Sequence, residues 1–144
     1  TLLYGLEAGK YRLALKTPKD QIINVEYTRD KSKKKAAYKK SKAIHLKSDI
    51  DSIYTSTEKA ARWYKVSVSS TKKRKAVTLS KDSVGGGFKF CVYQKGKRLK
   101  TVKVTKNDKV KTVKLPKKKG AYYVKVTKLT SKTTGAYYLG TYTY

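Results

Sequence analysis

Few residues in this chain belong to the types that make and break bonds. There is one cysteine, Cys91, and one histidine, His45. A cysteine nucleophile needs a neighbouring base and a basic, accessible setting. Cys91 instead stands inside an alternating run, Phe90-Cys91-Val92, where a small strand residue is expected. His45 has no second histidine or carboxylate at a spacing that suggests a catalytic set or a metal centre. Asp49 and Asp51 are the one close carboxylate pair, in Ser48-Asp49-Ile50-Asp51-Ser52. That stretch lacks the oxygen-rich loop of an EF-hand and offers at most a weak cation site. Gly85-Gly86-Gly87 invites a phosphate-loop reading, but no Gly-Lys-Ser/Thr and no helix follow it. A strand opens there, so the triplet reads as a flexible loop tip or a bulge. Lysine with Asn24 or Asn107 has the types for an isopeptide bond, without the pattern that goes with one. These residues compose no catalytic set, so the chain is expected to be no enzyme and to need no cofactor or metal.

The elements that must position these residues read as strands. Phe88-Lys89-Phe90-Cys91-Val92-Tyr93 turns at Gln94-Lys95-Gly96-Lys97 and returns as Leu99-Lys100-Thr101-Val102-Lys103-Val104. Gly120-Ala121-Tyr122-Tyr123-Val124-Lys125-Val126 and Gly135-Ala136-Tyr137-Tyr138-Leu139-Gly140-Thr141-Tyr142 repeat the period-two alternation. Such alternation buries one strand face and wets the other. Further strands are expected at Ala43-Ile44-His45-Leu46, Trp63-Tyr64-Lys65-Val66-Ser67-Val68, Ala76-Val77-Thr78-Leu79 and residues 109–115. Short links bearing Gly and Lys suggest antiparallel hairpins. A single helical turn is expected after the capping box Thr55-Ser56-Thr57-Glu58, and residues 28–42 read as a basic linker or arm. The expected fold class is an all-β antiparallel sandwich.

Residues 1–27 form an expected N-terminal β-hairpin turning at Thr17-Pro18-Lys19-Asp20. Gly9-Lys10-Tyr11-Arg12-Leu13-Ala14-Leu15 lines up with Gly120-Ala121-Tyr122-Tyr123-Val124-Lys125-Val126, and Val25-Glu26-Tyr27 with Gly140-Thr141-Tyr142. This reads as an internal repeat. Residues 1–27 would be the tail of a preceding copy, or a hairpin packed on the sandwich, and residues 28–144 a complete binding module. The opening Thr1-Leu2-Leu3 reads as cut from something longer.

At 144 residues the chain suits one domain with a real core. No run of about 18 apolar residues is present to span a bilayer. A net charge of +28, with 37 basic residues of which five are Arg, has two readings. Lysines along strand faces and edges keep a sheet protein wet and unaggregated. The same charge attracts anionic polymers such as cell-wall polymer, glycan or nucleic acid. Lysine is a hydrated point charge, though, and site-specific phosphate or base recognition leans on arginine forks.

The order Trp63-Tyr64-Lys65-Val66, residues 88–93 with Gly96-Lys97, then Gly120-Ala121-Tyr122-Tyr123-Val124-Lys125-Val126 and Gly135-Ala136-Tyr137-Tyr138-Leu139 resembles a bacterial pre-peptidase C-terminal module. The resemblance covers residues 43–142. It implies a jelly-roll-like sandwich carried in tandem on secreted and cell-surface proteins, hence an extracellular location. The Lys-rich N-terminal segment departs from calcium-binding members, so no calcium site is carried over. Lys- and Tyr-rich tandem modules of this look are similar to surface proteins of gut Gram-positive bacteria. Some of these bind immunoglobulin variable domains in a superantigen-like way. The resemblance therefore implies a host protein partner, with immunoglobulin as the named candidate and neighbouring repeat modules alongside it.

Thirteen tyrosines and two phenylalanines make an interface-like composition. Alternation sends Tyr122 inward beside Val124 and Val126, and sends Tyr123 or Tyr137 outward. Trp63, the one tryptophan, is a core lid or a ligand platform. Trp63, Tyr123 and Tyr137 are the candidate contact residues, each with a core reading beside it. An uncovered edge strand is a further docking mode.

Overall fold

The computed structural model describes residues 10–17, 19–26, 36–47, 61–82, 86–133 and 136–144. Eight strands follow a 3-10 turn at Lys40–Lys42: β1 Ile44–His45, β2 Arg62–Val68, β3 Lys75–Asp82, β4 Phe88–Gln94, β5 Lys97–Val104, β6 Val110–Lys114, β7 Gly120–Lys128 and β8 Ala136–Thr143. They form a five-stranded sheet ordered β1-β2-β7-β4-β5 and a three-stranded sheet ordered β6-β3-β8. Every alternating run expected between residues 43 and 144 is a strand, and the all-β sandwich is the fold. Pairing is antiparallel except for the short β1, which runs parallel to β2.

The core lies between the two sheets. From the larger sheet come Tyr64, Val66, Phe88, Phe90, Val92, Val104, Tyr122, Val124 and Val126; Val77, Leu79, Val113, Tyr137 and Leu139 meet them from the smaller one. Burial of each large side chain contributes about 1.5–3 kcal/mol. The alternation in β2 and β7 places their apolar residues on one face, opposed in register as Tyr64 to Val124 and Val66 to Tyr122.

Hairpins are rarer than the short links suggested. Only β4 and β5 are sequence neighbours that pair antiparallel, through a two-residue turn with positive φ at Lys95 (47°) and Gly96 (79°). That left-handed pair is the turn whose twist matches the strands. β6, β7 and β8 follow one another in sequence yet alternate between sheets. Period two fixes which residues share a face and leaves open which strand lies beside which.

Gly86 and Gly87, part of the stretch expected as a loop tip or bulge, pack closely. A Cβ on Gly87 would fall 2.0 Å from the Val104 carbonyl oxygen, and one on Gly86 2.4 Å from the Thr133 hydroxyl. Thr133 donates to the Gly87 carbonyl and accepts from the Gly87 N–H. Glycine is required at residues 86–87 by close packing of backbone on its neighbours; Gly85 lies outside the described residues.

Among the described residues of the expected N-terminal hairpin, a turn forms at Lys19–Asp20 but neither arm is a strand. Leu13 and Leu15 are exposed and Ile22 is 93% exposed. A two-stranded ribbon is marginal without a third strand or a packing surface, and among the described residues Leu13, Leu15 and Ile22 stay exposed. The end of the basic arm, in contrast, is docked: Ala37 is buried and its carbonyl accepts the Trp63 N–H at 2.8 Å. The expected helical turn at residues 55–61 lies outside the described residues, save for Ala61, which is not helical.

Candidate functional site

The outward face of the five-stranded sheet collects the aromatic and basic residues. Strand register sets them in rows. One row runs His45, Lys65, Tyr123, Tyr93, Arg98 across all five strands; the next runs Trp63, Lys125, Cys91, Thr101. The Trp63 and Tyr93 rings lie 5.5 Å apart, tilted by 44°. Lys125 Nζ stands 5.6 Å from the Trp63 ring centre. Lys40, held by the docked arm, stands 4.7 Å over Tyr123. The aromatic centre is thus rimmed by cations from the strands and from the docked arm, with Lys40 and Lys125 in cation–π geometry.

Charge is distributed unevenly over the sandwich. The five-stranded sheet carries two basic residues in β2, one in β4, four in β5 and two in β7, and no carboxylate. Of these, Lys65, Lys89, Arg98, Lys103 and Lys125 share the outward register, and cations with no acid among them make a field that attracts anionic groups and falls off with salt.

Trp63 and Tyr123 take their expected outward places, both half-buried. Tyr137 does not. It is 2% exposed, packs on Phe88 at 5.0 Å, and shares a 2.6 Å hydrogen bond with the Tyr64 hydroxyl across the two sheets. Its neighbour Tyr138 faces out. The sequence held this signal: Gly-Ala-Tyr-Tyr occurs twice, at residues 120–123 and 135–138, and the first tyrosine is inward both times. Sequence reading missed Tyr93 and Lys40. Tyr93 follows from the phase of β4, since Phe88, Phe90 and Val92 point inward. No sequence signal marks Lys40, which depends on how the arm packs.

His45 and Cys91 share this face but not a site. Three inter-strand steps separate β1 from β4, about 14 Å at the usual spacing. His45 Nε2 is 3.0 Å from Ser67 Oγ, and the buried Cys91 Sγ is 3.4 Å from Thr101 Oγ1. Burial, then the adjacent Cys91 thiol, pushes the Tyr93 phenol above its usual range. Asp49 and Asp51 lie outside the described residues. Among the described residues there is no cluster of three His, Cys, Asp or Glu side chains, and no helix is long and apolar enough to cross a membrane.

No protein-family model matches the chain, and no curated protein does. Among solved structures it is similar to the pre-peptidase C-terminal domain of a collagenase from Bacillus anthracis. That likeness has 18% identity and a TM-score of 0.48, covering 78% of this chain and all of that domain. Nothing about this chain's partners follows from a likeness of that size.

Proposed function

We propose that the chain is a non-enzymatic binding module of a secreted or surface-displayed protein. It docks a host protein on the outer face of its five-stranded sheet, and an immunoglobulin variable domain is the candidate partner. The observation that supports this reading is the aromatic centre of Trp63, Tyr93 and Tyr123 inside a cationic rim. Protein interfaces concentrate their binding energy in such rigid aromatic anchors, shielded by a polar border. The choice of immunoglobulin comes from the sequence resemblance alone. Residues 1–27 are proposed as the closing segment of a neighbouring module, on the strength of the Gly-x-Tyr match.

A second reading, electrostatic capture of an anionic polymer, is favoured by the absence of any carboxylate from the larger sheet. Salt separates the two. A pull-down from human serum and mucosal secretion, repeated at raised salt, is expected to retain a discrete protein if the aromatic centre dominates. Loss of affinity along a steep log–log salt line would give the anionic polymer the lead. Failure to retain any serum or mucosal protein at micromolar concentration would contradict the host-protein reading.

A further inference from the structure

The five-stranded sheet ends at β5 and the three-stranded sheet at β6. Between these two edges the sandwich opens into a groove of about 360 Å³. Its lining includes the buried Val92, Val113 and Leu115, with Leu99, Lys100 and Lys114 more exposed around them. Among the described residues β5 pairs only with β4. An edge strand of eight residues presents a row of backbone N–H and C=O groups to whatever approaches.

Lys100 lies opposite the inward-pointing Val92 in register, so its side chain leaves the edge on the core side, beside the groove. An inward-pointing lysine normally guards an edge against strand pairing. The guard is specific in sign: it repels or strands an apolar or basic visitor and offers an ion pair to an acidic one. No carboxylate on the five-stranded sheet competes for Lys100. A ladder of alternating donors and acceptors beside an apolar floor fits an extended peptide, which matches both at once.

We propose that this groove takes an extended acidic peptide segment of a partner protein. The segment adds to β5 as a further strand, with apolar side chains over Val113 and Leu115 and a carboxylate on Lys100. The site opens at the sheet edge, apart from the outward-facing Trp63 and Tyr123, and stands independently of the function proposed above.

The test uses the whole chain and an acetylated, amidated peptide of alternating Glu and Val, titrated in about 0.15 M salt. Binding is expected, with amide shift changes at residues 97–104 and 110–115. The K100E variant is expected to weaken that peptide by roughly tenfold or more and to acquire binding of the matching Lys and Val peptide. N-methylation of alternate peptide amides is expected to abolish binding to the parent chain, since it removes the edge hydrogen bonds. Trp63→Ala is expected to leave the affinity within about twofold. Undetectable binding of the acidic peptide at millimolar concentration would overturn the proposal. So would equal binding by K100E, or equal binding of the methylated peptide, which needs no variant to fold.

Discussion

The two sheets of the sandwich put lysine to different ends. On the three-stranded sheet the lysines are turned to the protein itself. Lys75 Nζ donates to the Ser67 carbonyl at 3.0 Å, Lys81 Nζ to the Lys106 carbonyl at 2.9 Å, and Lys111 pairs with Asp108 at 2.7 Å. Lys114 covers the Tyr144 ring. The face itself is a quiet one of Thr78, Thr112 and Gly140 between Tyr138 and Tyr142. On the five-stranded sheet, Lys65 and Arg98 stand in one row with Tyr123 and Tyr93, and Lys125 beside Trp63. Among the described strands, lysine thus falls into two populations: lysines that tie the sandwich together and lysines that shape a surface. Composition reports only their total.

The largest expected effect falls on one face alone. Trp63→Ala should weaken partner binding by roughly 30-fold or more, the loss of about 2 kcal/mol that marks a hot spot. Tyr138→Ala on the opposite face should change it by less than about twofold. Titration calorimetry of both variants breaks the comparison if the two effects are equal.

Next in size is the link between the sheets. Tyr137→Phe removes the 2.6 Å bond to Tyr64 and should cost about 1–2 kcal/mol of stability, read as a lower midpoint in urea with unchanged binding. An effect on binding without one on stability would return Tyr137 to the surface role expected from sequence.

The two lysine populations should separate by kind of effect. Lys81→Gln is expected to lower Tm by a few degrees, consistent with the loss of about 0.5–1.5 kcal/mol, and to leave the salt dependence of binding alone. Lys65→Gln should leave Tm in place and, for an anionic polymer, reduce the log–log salt slope by about 0.7–0.9.

The smallest effect is at the turn that holds Lys111. The Asp108 carboxyl accepts bonds from the Lys111 ammonium and from the Thr105 N–H and hydroxyl. These hold its pKa well below the usual carboxylate range. A depressed folded-state pKa stabilises above the unfolded value, near 3.9, and loses that contribution as pH falls through and below it. Asp108→Asn should therefore lower Tm slightly at neutral pH, and the two melting curves should converge as pH falls below the usual carboxylate range.

The strands were legible because one buried face imposes period two, and that signal survives any arrangement of neighbours. The aromatic centre was legible in part: Tyr123 followed from strand phase and Trp63 stood out as the lone tryptophan, whereas Tyr93 was missed although the phase of β4 puts it on the same face. The partition into two sheets was not, because β6, β7 and β8 show alike from sequence and differ only in which strands flank them. Residues 86–87 looked like a loose tip because glycine is permissive, whereas the space around them was what excluded a side chain. In residues 10–17 and 19–26 the alternation is present with no ladder among the described residues, in keeping with the marginal stability of a lone ribbon.

The measurement that tests the central claim most directly is amide shift mapping of the labelled chain titrated with Fab fragments of pooled human immunoglobulin. The account predicts changes centred on Trp63, Lys65, Tyr93, Tyr123 and Lys125. Changes centred on Thr78, Tyr138 and Tyr142, or no change at saturating Fab, would contradict it.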